Sequence, residues 1–92
     1  IENFKNEETE RLWSGMGSRR LPADVQQVAR RKLRMINNAR FLEDLRIPPA
    51  NRLEALKGER KGQYSIRIND QWRICFVWRN GSAVDVEIVD YY

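Results

Sequence analysis

The sequence predicts an α+β fold in which an N-terminal short strand and two helices pack on one face of an antiparallel sheet. Apolar residues recur at helical spacing only in the first half of the chain. From Gly62 onward, apolar and polar residues alternate instead. The chain has 92 residues, which is enough for one hydrophobic core, so we expect a single domain spanning residues 1–92.

The first half predicts one weak strand and two helices. Residues 1–4 alternate weakly and indicate the short strand, after which Asn6 can cap a helix with an acidic first turn. The second helix begins near Pro22, and the spacing of its apolar residues defines a core-facing stripe. That stripe consists of Val25, Val28, Ala29, Leu33 and Ile36. The basic residues 30–34 fall largely outside it, and we expect them to be solvated.

The second half predicts three consecutive antiparallel strands. Asn80-Gly81 is the strongest hairpin signal, and a turn near Asn69-Asp70 joins the two strands before it. One side of the sheet is expected to face the helices, and the other side to stay accessible. The residues predicted on the covered side are Tyr64, Ile66, Ile68, Trp72, Ile74, Phe76, Trp78, Val84, Val86 and Ile88.

The accessible side of this sheet carries the residues of greatest chemical interest. Alternation places Arg67 and Arg73 on the same face of neighbouring strands. Five further residues can converge there, from a glycine-bracketed basic loop and from the C-terminus: Lys57, Arg60, Lys61, Tyr91 and Tyr92.

Such a set suits cleavage of RNA without a metal. In that reaction the 2′-hydroxyl attacks the adjacent phosphate, negative charge gathers on the phosphorane, and the 5′-oxygen leaves. Arginine stabilises this charge through paired hydrogen bonds, and tyrosine can stack on an unpaired base. A lysine or tyrosine of lowered pKa could act as acid or base, because the chain contains no histidine.

The composition supports an anionic partner, but purely structural explanations of the same residues remain open. The formal net charge is +4, which suits nucleic acid. A basic strand face is often only a solvated surface, charged loop tips are common, and terminal tyrosines can simply pack. Asp85, Glu87 and Asp90 could be read as a metal site, yet cross-strand ion pairs explain them at least as well. We therefore expect no metal and no other cofactor.

The single cysteine and the hydropathy pattern indicate a cytoplasmic protein. Cys75 has no partner for an intramolecular disulfide and is expected to be a small, semi-buried packing residue. No apolar run approaches the roughly 18 residues that a membrane span requires, so we expect no membrane association.

Four runs of the sequence closely resemble the HigB toxins, including the GraT type, of the RelE/ParE toxin superfamily. These runs are residues 51–58, 62–69, 71–76 and 84–91. Their spacing, L-x-G … S-I-R-x-N-x-x-W-R-I-x-F … D-Y, is more specific than any single motif, and the resemblance spans essentially the whole chain.

The resemblance implies a ribosome-dependent mRNA endoribonuclease that inhibits translation. It implies three partners: the ribosome, mRNA, and a HigA-like helix-turn-helix antitoxin, through which operator DNA would be contacted only indirectly. Lys57, Arg67 and Arg73 match basic positions of the family's active surface, and Tyr91 matches its near-terminal tyrosine. Arg73 is the first choice for stabilising the transition-state charge. The polar residues expected to flank this surface are Asn69 and Gln71, with Arg60 and Lys61 as further RNA-binding residues.

The C-terminus departs from the family, which commonly ends in Tyr-His, whereas this chain ends in Tyr91-Tyr92. Tyrosine is a poor base at neutral pH, so we expect the substitution to lower the cleavage rate. Two other functions remain open. One is a catalytically weak module that binds antitoxin and modulates its grip on operator DNA. The other is a ParE-like toxin directed at DNA gyrase, against which the basic, arginine-bearing sheet argues.

Overall fold

A computed structural model describes residues 1–91 and has two helices packed against a four-stranded antiparallel sheet. The helices are α1 (Glu7–Trp13) and α2 (Ala23–Asn38). The strands are β1 (Glu54–Ala55), β2 (Gln63–Arg67), β3 (Trp72–Arg79) and β4 (Ser82–Asp90), in the spatial order β1-β2-β3-β4. Three 3₁₀ turns complete the fold: Leu42–Arg46, Pro49–Asn51 and Gly58–Arg60. The predicted α+β class is confirmed.

The helices form where the sequence predicts them. The Asn6 side chain accepts a hydrogen bond from the Thr9 amide at 2.9 Å and so caps α1. The apolar stripe of α2 is buried against the inner face of the sheet, where Ile74 and Phe76 lie at its centre with no exposed surface. Burial of this stripe is the main source of stability in a domain of this size.

The predicted N-terminal strand is wrong as a strand, because residues 1–4 make only an isolated parallel bridge from Phe4 to Val86. The segment still lies along β4: the Glu2 amide donates to the Ala83 carbonyl at 2.8 Å, and the Lys5 amide donates to the Val86 carbonyl at 2.9 Å. It protects this edge of the sheet without a continuous ladder.

The predicted alternation in the last strand fails at Val84. Trp78 pairs with Ala83 and Val77 pairs with Val84, so Ala83 is the residue that faces the core. A bulge follows, at which Asp85 has a positive φ of 53° and the register shifts before Val86. Two residues of β4 then oppose one residue of β3, which returns Val86 to the core face.

The bulge is held by the N-terminal segment. Asn3 Nδ2 donates to Asp85 Oδ1 at 2.9 Å, and the Asp85 amide donates to Asn3 Oδ1 at 3.0 Å. These residues are 82 positions apart in the chain. The bulge therefore depends on a long-range contact that strand alternation does not encode.

The outer face of the sheet is less open than predicted. Ser65 and Cys75 are fully buried, and Arg73 is only 8% exposed. The Arg52 carbonyl and the Tyr91 ring contact the Arg73 guanidinium. The expectation of one wholly accessible face is therefore wrong at its centre.

Candidate active site

Arg73 is the most firmly held cation on the outer face. Its Nε donates to Ser65 Oγ at 2.8 Å, and its Nη2 donates to the Arg52 carbonyl at 2.8 Å. Among residues 1–91, no acceptor lies within hydrogen-bonding distance of its Nη1. These two bonds, with a longer one from Nη2 to the Ser65 carbonyl at 3.5 Å, fix the plane of the guanidinium and leave Nη1 to receive a ligand.

The Arg52 carbonyl is positioned by the buried residue before it. Asn51 is fully buried, and its Nδ2 donates to the Leu45 carbonyl at 3.2 Å and contacts the Ile47 carbonyl at 3.5 Å. Arg52 then adopts a left-handed conformation with a φ of 46°. Asn51 thus anchors the 3₁₀ segment that presents the carbonyl to Arg73.

Tyr91 covers the guanidinium from the other side. The centre of its ring lies 5.3 Å from Arg73 Cζ, and its backbone amide donates to the Gln71 carbonyl at 2.7 Å. The ring itself remains about half exposed. This arrangement combines a cation–π contact with a free aromatic surface.

A cleft of about 500 Å³ opens beside this tyrosine. Lys57 is exposed there and makes no hydrogen bond or ion pair with the rest of the described chain. Arg60 is held in place, since it donates to Gln63 Oε1 at 3.0 Å and lies 3.5 Å from a Glu87 carboxylate oxygen. The residues that line the cleft are Glu54, Ala55, Leu56, Lys57, Arg60 and Tyr91.

Arg67 is separated from this group. It pairs with Arg73 in the β2–β3 register, but its guanidinium forms an ion pair with Asp70 in the following turn. The Arg73 guanidinium extends the other way, toward Ser65. The two arginines thus share a face, as predicted, while their charged ends diverge.

The other predicted residues have mixed placements. Asn69 Oδ1 accepts the amides of Gln71 and Trp72, at 2.9 and 2.8 Å, and so shapes the β2–β3 turn. Gln71 Nε2 donates to Asp90 Oδ2 at 3.1 Å. Lys61 is exposed and does not line the cleft, whereas Tyr92 lies outside the described residues.

The acidic residues of β4 form ion pairs or hydrogen bonds with neighbouring residues. Glu87 lies 3.3 Å from the Lys5 amine as well as near Arg60, so it forms ion pairs, although with loop and N-terminal residues rather than strand arginines. Within residues 1–91, no three acidic or cysteine side chains converge as a metal site would require. Cys75 is fully buried rather than semi-buried, and burial raises the pKa of its thiol.

The expectation that the basic stretch of α2 is solvated is wrong at Lys32, whose side chain is only 5% exposed. The Leu56 amide donates to the Gln63 carbonyl at 2.9 Å, so alternate carbonyls of β2 face β1. The two-residue β1 begins opposite Ser65 and leaves the Arg67 carbonyl beyond it without a strand partner. Lys32 Nζ donates to that carbonyl at 2.5 Å.

We expect Lys32→Met to reduce the increase of the unfolding free energy with pH in the alkaline range. Burial, followed by the charges of Arg31, Arg67 and Arg73, lowers the pKa of the Lys32 amine below its ordinary value of 10.5. Between the lowered pKa and 10.5 the unfolded chain binds the proton more tightly, so the unfolding free energy rises with pH across that window.

The measurement is urea unfolding of the native and Lys32→Met chains at neutral pH and at about pH 10. The native chain should gain more stability between the two than the variant does. Equal gains would show that the amine is not perturbed by folding.

Comparison with known proteins gives the family. The protein-family model described as "RelE-like toxin of type II toxin-antitoxin system HigB" matches residues 2–92 of this chain. Toxin HigB-1 of Vibrio cholerae is 40% identical over 83 residues, covering 89% of this chain and 87% of that protein. Endoribonuclease HigB of Proteus vulgaris is 32% identical over 93 residues, covering 100% and 99%. An uncharacterized protein of Haemophilus influenzae is 36% identical over 83 residues, covering 89% and 82%.

The fold and its cation-lined cleft are thus those of a small toxin-like domain with a site suited to an anionic ligand. The chain belongs to the HigB family of RelE-like toxins of type II toxin-antitoxin systems. A toxin of such a system has an antitoxin as its partner. No helix within residues 1–91 is long and apolar enough to cross a membrane.

Proposed function

We propose that this chain is a ribosome-dependent mRNA endoribonuclease that inhibits translation and cuts by metal-free attack of the 2′-hydroxyl. One observation carries the proposal: the Arg73 guanidinium is fixed by hydrogen bonds to Ser65 and to the Arg52 carbonyl, its Nη1 has no partner among residues 1–91, and it lies against Tyr91 beside a cleft that contains two further cations. The name of the Proteus vulgaris relative, an endoribonuclease, supports the same activity.

The roles of the residues follow from their positions. Arg73 binds the scissile phosphate and stabilises the charge of the phosphorane, because its guanidinium is already oriented before the substrate arrives. Lys57 and Arg60 line the cleft and hold the adjoining phosphates. The exposed ring of Tyr91 stacks on a base. Tyr92 lies outside the described residues and is proposed as a further catalytic residue from the family resemblance alone.

The remaining assignments lie further from the cleft. Arg67 contributes positive charge from the end of β2 and is a weaker candidate for a catalytic role, because Asp70 forms an ion pair with it. Asn69 and Gln71 support the RNA surface by shaping that turn. Lys61 adds long-range attraction for phosphate.

The partners complete the proposal. A HigA-like helix-turn-helix antitoxin inhibits the toxin and links it indirectly to operator DNA. The ribosome presents mRNA in the cytoplasm and completes the cleavage geometry, which a small open cleft does not enforce alone.

The test is cleavage of mRNA by purified toxin with and without programmed ribosomes, mapped by primer extension. We expect cuts within the exposed codon only when ribosomes are present, with 2′,3′-cyclic phosphate and 5′-hydroxyl ends. Absence of cutting under both conditions would overturn the proposal.

A non-catalytic, antitoxin-binding module is the second candidate. The low exposure of Arg73 under Tyr91 favours it, because a buried cation contacts RNA only after the ring moves. That candidate predicts intact mRNA on ribosomes and tighter binding of antitoxin to operator DNA when the toxin is added. A gyrase-directed toxin would instead produce DNA breaks with intact transcripts.

Lys57→Ala is expected to reduce ribosome-dependent cleavage by about tenfold, the size of one charge-assisted hydrogen bond to phosphate. Arg79→Ala is the control, since it also removes one exposed positive charge, but Arg79 lies at the end of β3 and does not line the cleft. We expect the control to change the rate by less than about twofold. Equal losses in the two variants would indicate a general effect of charge and contradict the assignment of this cleft.

A further inference from the structure

One carboxylate lies among the cations of the cleft. Glu54 is in β1 and pairs with Ser65 of β2. Residues directly opposite each other in a sheet project to the same face, so Glu54 lies on the outer face beside the serine that binds Arg73. Its side chain lines the same cleft as Lys57, Arg60 and Tyr91.

The Glu54 carboxylate has no partner within residues 1–91. It is exposed and makes no hydrogen bond or ion pair with any other residue in the described part of the chain. Glu87 on the same face differs, because Lys5 and Arg60 bind its carboxylate at 3.3 and 3.5 Å. Of the residues that line the cleft, Glu54 is the acidic one.

Attack by a 2′-hydroxyl requires a group that can accept its proton. The chain has no histidine. Arginine, lysine and tyrosine ordinarily hold their protons at neutral pH, whereas a glutamate side chain is ordinarily ionised there. A carboxylate beside a phosphate-binding arginine is therefore the group best able to act as the base.

We propose that Glu54 is the general base of the cleavage reaction, an inference that rests on the proposed ribonuclease function. Its carboxylate takes the proton of the 2′-hydroxyl as the 2′-oxygen bonds to phosphorus. The bond from phosphorus to the 5′-oxygen then breaks, and that oxygen takes a proton from Lys57, Tyr91 or water. The products are a 2′,3′-cyclic phosphate and a 5′-hydroxyl, and the proton on Glu54 returns to solvent.

The experiment compares Glu54→Gln with Glu59→Gln in single-turnover cleavage on programmed ribosomes with saturating toxin. Glu59 is a matched control, because it is exposed in the neighbouring turn but does not line the cleft. We expect Glu54→Gln to lower the rate by about 100-fold or more, the usual contribution of a general base. The control should stay within about twofold of the native rate.

Four further readouts separate a base from a structural residue. The affinity of Glu54→Gln for the ribosome should equal that of the native toxin, and its thermal melt should be unchanged. The decline of the native rate toward acidic pH should be absent in the variant. An mRNA with a sulfur in place of the 5′-bridging oxygen should not rescue the variant, because a better leaving group replaces the acid and not the base.

The outcomes distinguish this inference from the proposed function. If the native toxin cuts and Glu54→Gln cuts within about threefold of it, Glu54 is not the base and the ribonuclease function stands. Rescue by the sulfur-containing substrate would likewise overturn the assignment. If the native toxin does not cut, the proposed function itself fails. Glu54→Asp, which keeps the carboxylate, should retain more activity than Glu54→Gln.

Discussion

Replacing Arg73 by lysine is expected to lower ribosome-dependent mRNA cleavage by about 100-fold or more, the usual loss when a positioned donor is removed from a transition-state site. Arg73 binds Ser65 and the Arg52 carbonyl with two nitrogens, and its third nitrogen has no partner among residues 1–91. A lysine has one nitrogen and cannot hold that position while also binding a phosphate. Single-turnover rates on programmed ribosomes measure the effect.

Arg79→Lys provides the control, because Arg79 is exposed at the far end of the same strand. It should cleave within about twofold of the native rate.

Arg73→Lys is also expected to lose about 1–3 kcal/mol of stability, since one buried acceptor is left without its donor. Cleavage by folded Arg73→Lys within about threefold of the native rate would exclude Arg73 as the group that stabilises the transition state.

Asn51→Asp is expected to remove about 3–5 kcal/mol from the free energy of unfolding at neutral pH. The change places a carboxylate in a fully buried site where two backbone carbonyls lie within 3.2 and 3.5 Å. A domain of this size has a total stability of about 5–15 kcal/mol, so the change should remove a large fraction of it. Activity should fall as well, because the next residue supplies the carbonyl that binds Arg73.

Acidic pH should restore part of the stability of Asn51→Asp, since a protonated carboxyl can donate to the Leu45 carbonyl as the amide does. Urea unfolding at neutral and mildly acidic pH measures this recovery. Asn38→Asp is the matched control, being the same change at the exposed end of α2. A loss no larger than that of the control would show that the buried amide does not hold the segment.

The parts of the fold that depend on local periodicity could be predicted from the sequence. The stripe of α2 and the alternation in β2 and β3 are set by residues a few positions apart. Strand β1 was missed because two residues carry no detectable alternation. The bulge at Asp85 was missed because Asn3, at the other end of the chain, stabilises it.

The candidate site could also be predicted only in part. Alternation and the family resemblance together identified Arg73, Lys57 and Tyr91, which the structure brings together. Neither indicated that Asp70 would turn the Arg67 guanidinium away, since both arginines satisfy the same pattern.

Glu54 and Asn51 were not identified as site residues, although both lie in a run that resembles the family. One of the two acidic residues inside a basic segment was the available signal for Glu54. For Asn51, the signal was a polar residue two positions after a proline pair and three positions before β1.

The central claim is that RNA is cut at the cleft beside Arg73, and the most direct test is a structure of the toxin on a ribosome programmed with 2′-O-methylated mRNA. We expect the scissile phosphate to lie within hydrogen-bonding distance of the Arg73 guanidinium, with the Glu54 carboxylate beside the 2′-oxygen. Contact of the mRNA with the exposed arginines of α2 or with the Arg67–Asp70 pair, and an empty cleft, would contradict the account.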